Sequence, residues 1–180
     1  MISGTLKCDR RQKDRVVFEQ WLEQTTAVVN ELSSWGDGYY PFHDNELAGV
    51  SLLIAGAARA GFAPIAEYKL RKRGKKNKRT RSDGRADLWF LCSDRGYSFE
   101  FKRGWEDTNL LELRRRMASA YADIECVPVD EADHRYAGVL APVYATSLKH
   151  YEDFAAESDI VWDLKWPDES RVFIYFKRHL

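Results

Sequence analysis

Apolar residues recur at spacings of three and four positions in four segments of the chain, and this period predicts amphipathic helices. The helices are expected over residues 10–33, 44–61, 107–127 and 147–158. Asp44 is the expected N-cap of the second helix, and Gly61 is the residue expected to end it. Asp107 or Thr108 is expected to cap the third helix.

Apolar runs bounded by turn residues predict five strands, which fall after the first two helices. The strands are expected over residues 62–70, 86–92, 97–101, 136–146 and 171–178. The sequence SDRG separates the second run from the third, and its turn chemistry predicts a hairpin. The alternation of strands and helices predicts one α/β domain over residues 1–180, with helices flanking a mixed sheet.

Charge divides the chain although the formal net charge is zero, with 28 basic and 28 acidic residues. Residues 69–81 contain nine Lys or Arg and no acid, which favours contact with phosphates. Residues 123–169 contain twelve acids and three basic residues, a balance that would repel nucleic acid. This acidic half is therefore expected to cover the back of the sheet or to bind a protein partner.

The remaining composition narrows the class of protein. No apolar segment suits a signal peptide or a membrane span, so we expect a cytoplasmic protein without a membrane partner. The three cysteines lie far apart without CxxC spacing, which predicts free thiols rather than disulfides or a zinc site. No phosphate-binding loop, dinucleotide fingerprint or hydrolase elbow occurs.

Candidate chemistry lies in the predicted hairpin. Side chains alternate along a strand, so Glu100 and Lys102 share one face while Phe99 and Phe101 share the other. Asp87, on the paired strand, can approach Glu100, and two such carboxylates would repel unless a cation lay between them. One or two carboxylates are typical of a Mg²⁺ site, and Mn²⁺ is the expected substitute. Lys102 can orient or deprotonate water, or stabilise phosphate charge, in hydrolysis of a phosphodiester.

The pattern of Asp87 followed by Glu100-x-Lys102 in apolar strands resembles that of the PD-(D/E)XK nuclease superfamily. The resemblance covers residues 44–146 and implies a restriction-endonuclease-like core of a helix, three strands, a helix and a strand. The remaining N-terminal helix and the C-terminal helix and strand would be additions to this core. Ala86 stands where the superfamily's name-giving proline would be.

Within the superfamily, the chain is similar to Holliday-junction resolvases and restriction-endonuclease-like proteins, which often have a glutamate on the helix before the first core strand. Glu46 occupies the corresponding place, so the resemblance implies a further ligand or catalytic residue there. Glu67, on the first predicted strand, competes with Glu46 for this role. Relatives of this kind act as dimers, which implies a possible homodimer.

The basic segment is interpreted as a loop that holds the backbone of a nucleic acid, with DNA as the expected substrate. The residues assigned to this contact are Arg71, Lys72, Arg73, Lys75, Lys76, Lys78, Arg79, Arg81 and Arg85.

Three alternatives to this interpretation of the chain stay open. Glu100 and Lys102 could be a solvent-facing pair, the chain could bind nucleic acid without cleaving it, or its acidic half could make it an inhibitor or immunity protein.

Overall fold

Seven strands and four α-helices make up the part of the chain that the computed structural model describes. The described residues are 1–35, 40–74, 81–105, 108–143 and 148–180, without the side chains of Arg73, Arg81 and Ser82. The strands are β1 (Ser3–Cys8), β2 (Ala63–Arg73), β3 (Arg81–Cys92), β4 (Arg95–Arg103), β5 (His134–Val143), β6 (Ile160–Lys165) and β7 (Arg171–His179). The helices are α1 (Arg15–Ser33), α2 (Glu46–Arg59), α3 (Leu110–Ile124) and α4 (Lys149–Ala155), and a 3₁₀ turn, Pro41–His43, precedes α2.

The strands form a single mixed sheet in the order β1-β6-β7-β5-β4-β3-β2. Neighbouring strands run antiparallel except β4 and β5, which are parallel and are joined through α3. A parallel pair needs such a crossover because a tight turn cannot return the chain to the same end of the sheet. The sequence α2-β2-β3-β4-α3-β5 agrees with the predicted order of helix, three strands, helix and strand.

Helices cover both faces of the sheet, as predicted for an α/β domain. The face under α1 and α2 carries an aromatic core, which includes Phe18, Trp21, Phe90, Phe99 and Phe176. Edge-on and tilted ring contacts at about 5–6 Å join these side chains, an arrangement that the ring quadrupole favours. The opposite face packs on α3 and α4 through smaller residues, called here the α3 core, which include Leu113, Met117, Ala120, Ala137 and Val139.

Two strands were absent from the sequence prediction, β1 and β6, which pair with each other at one end of the sheet. No residue of β1 is fully buried, since exposed and half-buried positions alternate along it. In β6 the apolar run is short and is interrupted by Asp163, which is buried against Lys7 of β1 at 3.1 Å. Neither run carries a local pattern strong enough to predict a strand.

Helix boundaries also differ from the prediction. α1 begins at Arg15, five residues later than expected, because Asp9 accepts a bond from the backbone N–H of Arg11 and forms a turn there. Asn45 caps α2 instead of Asp44, and its side chain accepts from Ala48 N at 2.8 Å. Gly61 follows the end of α2 with a φ of 82°, as predicted.

The third helix is capped by Asn109, whose side chain accepts from Glu112 N at 2.9 Å, so the prediction of Thr108 was wrong. Asp107, the other expected cap, lies outside the described residues. The three cysteines lie among the described residues and none of them forms a disulfide, as predicted. Among the described residues, none of the helices combines the length and the apolar character that crossing a membrane requires.

Candidate active site

The candidate site lies where β3 separates from β4. The β3–β4 ladder ends at the pair Leu88 and Phe99, whereas β2 and β3 stay paired to their far ends at Arg73 and Arg81. Asp87 is the residue before Leu88 and lies just beyond the last β3–β4 pair. Its Oδ2 accepts the backbone N–H of Phe101 at 2.6 Å. A carboxylate therefore takes the place of a main-chain carbonyl on this part of β4.

A second carboxylate bonds to β4 two residues further along. Oε2 of Glu46, the first residue of α2, accepts the backbone N–H of Arg103 at 2.7 Å. Each acid thus has a carboxylate oxygen tied to the backbone, which holds its side chain in position. Packing of α2 and separation of the strands therefore bring Glu46 and Asp87 together, although 41 positions separate them in the sequence.

β3 changes face at Asp87. Residues two apart on a strand normally share a face, but Ala86 packs into the α3 core and Leu88 into the aromatic core. On the neighbouring strand β2, Ala66 pairs with Leu88 and Tyr68 pairs with Ala86. Glu67, between them, has a left-handed backbone with a φ of 48°. Non-glycine residues rarely adopt this conformation, so both strands are distorted beside Asp87.

Glu100 is the most deeply buried acid of the site, with 3% of its side chain exposed. Burial and the nearby negative charge of Asp87 raise its pKa to about 7, against the opposing effect of the Lys72 ammonium that contacts it. Burial also raises the pKa of Asp87, although the bond from Phe101 N and the charge of Lys102 favour the ionised form. The carboxyls of the half-buried Asp87 and the buried Glu100 therefore repel each other, as predicted.

Lys102 points to the same side of β4 as Glu100. Its Nζ lies 3.1 Å from Oδ2 of Asp123 on α3. Burial disfavours the charged amine, but the hydrogen bond with Asp123 and the charges of Asp123, Asp87 and Glu46 outweigh it and raise the pKa of Lys102. Lys102 is therefore protonated at neutral pH, and it is suited to stabilise negative charge rather than to remove a proton from water.

Asp123 was missed in the sequence analysis. It lies in the last turn of α3, where the helix dipole disfavours an acid. An acid in that position, on the helix that follows Glu100 and Lys102, is the signal that could have identified it. We call the six side chains of Glu46, Lys72, Asp87, Glu100, Lys102 and Asp123 the carboxylate cluster.

Glu67 and Glu46 face the same small cavity of about 60 Å³, which Asp87 also lines. Glu67 is half-exposed, however, and its Oε2 pairs with Nη1 of Arg85 at 3.2 Å. Glu46 instead is bound to the backbone of β4, and its charge acts on both Asp87 and Lys102. Of the two competing glutamates, Glu46 has the closer connection to the cluster.

The described ends of the basic segment lie on strands and not in the loop that the sequence predicted. β2 continues to Arg73 and β3 begins at Arg81, so these residues together with Arg71, Lys72 and Arg85 lie on paired strands. We call the part beyond Asp87, residues 68–73 paired with 81–86, the β2–β3 ribbon. Lys75, Lys76, Lys78 and Arg79 lie outside the described residues, and so do the side chains of Arg73 and Arg81.

Lys72 differs most from its predicted role. Its side chain crosses the ribbon over Gly84, where a Cβ atom would lie 2.8 Å from Lys72 Cδ, and its ammonium contacts Glu100. Lys72 thus compensates the charge of the cluster, whereas Arg71 is exposed and available to a phosphate. Arg85 is exposed too, but it pairs with Glu67.

The acidic half does not form a uniformly acidic surface. Several of its acids pair with basic residues from other parts of the chain, as Asp123 does with Lys102. Glu157 bonds to Arg114 at 3.0 Å, and Asp163 is buried between Lys7 and Arg171. Tyr151, Phe154, Trp162 and Trp166 of this half are buried and belong to the core.

Two residues of the carboxylate cluster have the type of ligand atom that a divalent cation such as Mg²⁺ prefers. Asp87 and Glu100 are oxygen donors whose repulsion a cation would relieve, and Mg²⁺ commonly uses one or two carboxylates. In the described part of the chain, no group of three or more His, Cys, Asp or Glu side chains is arranged to hold a metal. The chain therefore offers a carboxylate pair, to which substrate phosphate and water would add ligands.

Comparison of the chain with protein-family models, with curated proteins and with solved structures finds no match.

Proposed function

We propose that this protein is a metal-dependent nuclease that hydrolyses phosphodiester bonds of DNA. The observation that carries the proposal is the pair of mutually repelling carboxylates of the half-buried Asp87 and the buried Glu100, with Lys102 on the same face of β4 as Glu100. The order of α2, β2, β3, β4, α3 and β5 around them also resembles the core of the PD-(D/E)XK superfamily.

Five residues of the carboxylate cluster have a role in this proposal. Asp87 and Glu100 would hold Mg²⁺, and Glu46 would orient a metal-bound water or add a ligand. When bound, the cation would lower the pKa of a coordinated water and neutralise charge on the phosphate. Lys102, protonated and held by Asp123, would stabilise the charge that develops on the phosphate oxygens.

The β2–β3 ribbon would position the substrate. Arg71 and Lys69 are exposed on it, close along the chain to the distortion at Glu67. Cations along a ribbon bind phosphates by releasing counterions, so this contact would weaken as salt increases and would carry no base specificity.

The proposal is tested by cleavage of plasmid, linear and branched DNA in Mg²⁺ or Mn²⁺. Asp87→Asn and Glu100→Gln should each lower the rate at least about 100-fold, since even partners outside a metal's ligand shell cost 10–100-fold. Lys102→Met should cost about 100–1,000-fold, the loss typical of one group that stabilises transition-state charge.

Asp133→Asn is the matched control. Asp133 also accepts a backbone N–H of β4, from Gly96 at 2.7 Å, but at the opposite end of the strand. Its replacement should leave the rate within about twofold, because surface changes away from a site have small effects. If wild-type protein cuts none of the three substrates with either metal, the proposal is wrong.

A second candidate function is a module that binds nucleic acid without cleaving it. The ion pairs of both lysines in the carboxylate cluster favour this function. Lys72 pairs with Glu100 and Lys102 pairs with Asp123, so these two carboxylates are compensated without a metal. Calorimetric titration with Mn²⁺ separates the two. A nuclease should bind Mn²⁺ in a manner that depends on Asp87 and Glu100, whereas a pure binding module should not.

A further inference from the structure

Trp105, immediately after β4, exposes 62% of its surface. Its backbone is nevertheless fixed on both sides. The preceding Gly104 donates its N–H to Leu140 O at 2.7 Å, and both the N–H and the hydroxyl of Thr108 donate to the carbonyl of Trp105. The indole is therefore presented to solvent from an anchored segment.

The indole also has a defined orientation, because it stacks on the guanidinium of Arg103 at 5.3 Å from the ring centroid. That guanidinium is itself immobilised. Its Nη2 donates to His43 O at 2.6 Å and its Nε to Phe42 O at 3.4 Å, and Arg103 is buried. A large apolar ring held rigidly in water loses little freedom on binding, which is a property of preorganised contact residues.

Arg103 connects this indole to the carboxylate cluster. The backbone N–H of Arg103 is the group bound by Glu46, so the stack and Glu46 share one residue of β4. Leu47, next to Glu46, is exposed as well and adds apolar surface beside the site. Trp105 thus lies two residues along the chain from the backbone N–H that Glu46 binds.

We propose that Trp105 is a stacking platform for an unpaired nucleobase next to the phosphate that is cleaved. Any base can stack on an indole, whereas the faces of bases within a duplex are already covered by their neighbours. The substrate would therefore carry a single-stranded segment or a frayed end at the site. This inference rests on the proposed nuclease function and specifies its substrate.

The test measures binding, so that it is separate from cleavage. Fluorescence anisotropy at low salt, without divalent cations, would compare a labelled oligothymidylate with a blunt hairpin duplex. Trp105→Ala should weaken binding of the single strand about 5- to 150-fold, the range that corresponds to stacking of one base. Duplex binding should change less than about twofold, because phosphate contacts supply it.

Two further variants make the result specific. Trp105→Phe should retain most of the single-strand affinity, since it keeps an aromatic face. Trp35→Ala, which removes a tryptophan that is 92% exposed outside the cluster, should change neither affinity. An oligonucleotide in which abasic sites replace every base should bind wild type and Trp105→Ala equally.

Three results would overturn the inference: single-strand binding that is unaffected by Trp105→Ala, an equal loss for single strand and duplex, or an absence of single-strand binding by wild type. A nuclease that cuts DNA with Mg²⁺ and loses activity in Asp87→Asn would keep the proposed function in all three cases. Absence of cleavage by wild type would instead refute the function itself.

Discussion

The Glu100 side chain, in the candidate site, opposes the stability of the folded protein. It is buried beside another carboxylate, and its pKa of about 7 means that ionisation is costly in the folded protein. The Lys72 ammonium reduces this cost but does not remove it. A glutamine has the same shape and cannot ionise, so we expect it to be free of this cost.

The pH dependence of stability should reveal this cost in metal-free protein. The folded pKa of Glu100 is about 7 and its ordinary value is 4.5, so the folded state binds more protons between these values. The stability contributed by Glu100 is therefore present below about pH 4.5 and is lost as the pH rises through about 7.

Glu100→Gln should accordingly become more stable than wild type as pH increases. The difference between a pKa of 4.5 and one of about 7 changes the free energy of unfolding by at most about 3 kcal/mol, at about 1.36 kcal/mol per pKa unit. Urea unfolding between about pH 4.5 and 8 measures the difference. A difference that does not change with pH would contradict the raised pKa.

Glu112→Gln is a control of opposite sign. Glu112 is on the surface of α3, and hydrogen bonds from Arg115 and Arg116 lower its pKa to about 2. Its ionised form is favoured by folding, so any effect of its replacement should be destabilising at neutral pH and should fade as the pH falls through about 2.

At the scale of elements, the position of α2 decides whether Glu46 reaches β4. α2 packs closely against α1 at Gly56, where an added Cβ would lie 2.7 Å from the backbone N and Cα of Thr25. Backbone atoms cannot move aside as side chains do. The contact therefore requires glycine although glycine is unfavourable within a helix.

Gly56→Ala should lower the free energy of unfolding by about 1–3 kcal/mol, the usual cost of overpacking. Gly49→Ala is the matched control, because it is in the same helix and its added Cβ would also meet an atom at 2.7 Å. That atom is the side-chain end of Leu140, which can rotate away. The loss should therefore be below about 1 kcal/mol at Gly49. Urea unfolding measures both losses. A loss at Gly56 as small as the loss at Gly49 would show that the α1–α2 contact can relax.

On the scale of the whole molecule, metal binding should be coupled to stability and to pH. A cation that binds the folded protein stabilises it by about 2.7 kcal/mol at one hundred times its dissociation constant. Protons compete with the cation for Glu100, whose pKa is about 7, so the stabilisation should be larger at about pH 8 than at about pH 6.

Thermal unfolding with and without Mn²⁺ measures this coupling. The increase in Tm should be present in wild type and in the Asp133→Asn control, and absent in Asp87→Asn and Glu100→Gln. An increase that persists in both cluster variants would place the cation elsewhere on the molecule.

Local patterns were sufficient for much of the fold and for part of the site. The period of three to four located the helices, and turn residues located the β3–β4 hairpin. Alternation placed Glu100 and Lys102 on the face opposite Phe99 and Phe101, and the structure confirms this arrangement. These features follow from sequence because burial of one face is decided by residues within a few positions of each other.

The amino-acid sequence by itself thus determined the four α-helices, five of the seven strands in the described part of the chain, and which side chains of β4 point together. Only the tertiary structure decided the partners of those side chains. Lys72 meets Glu100 across 28 positions, and Asp87 leaves its strand alternation because β3 separates from β4 there. Trp105 is exposed yet anchored through Arg103. Such contacts depend on strand order and on where neighbouring strands separate, and no local period encodes either.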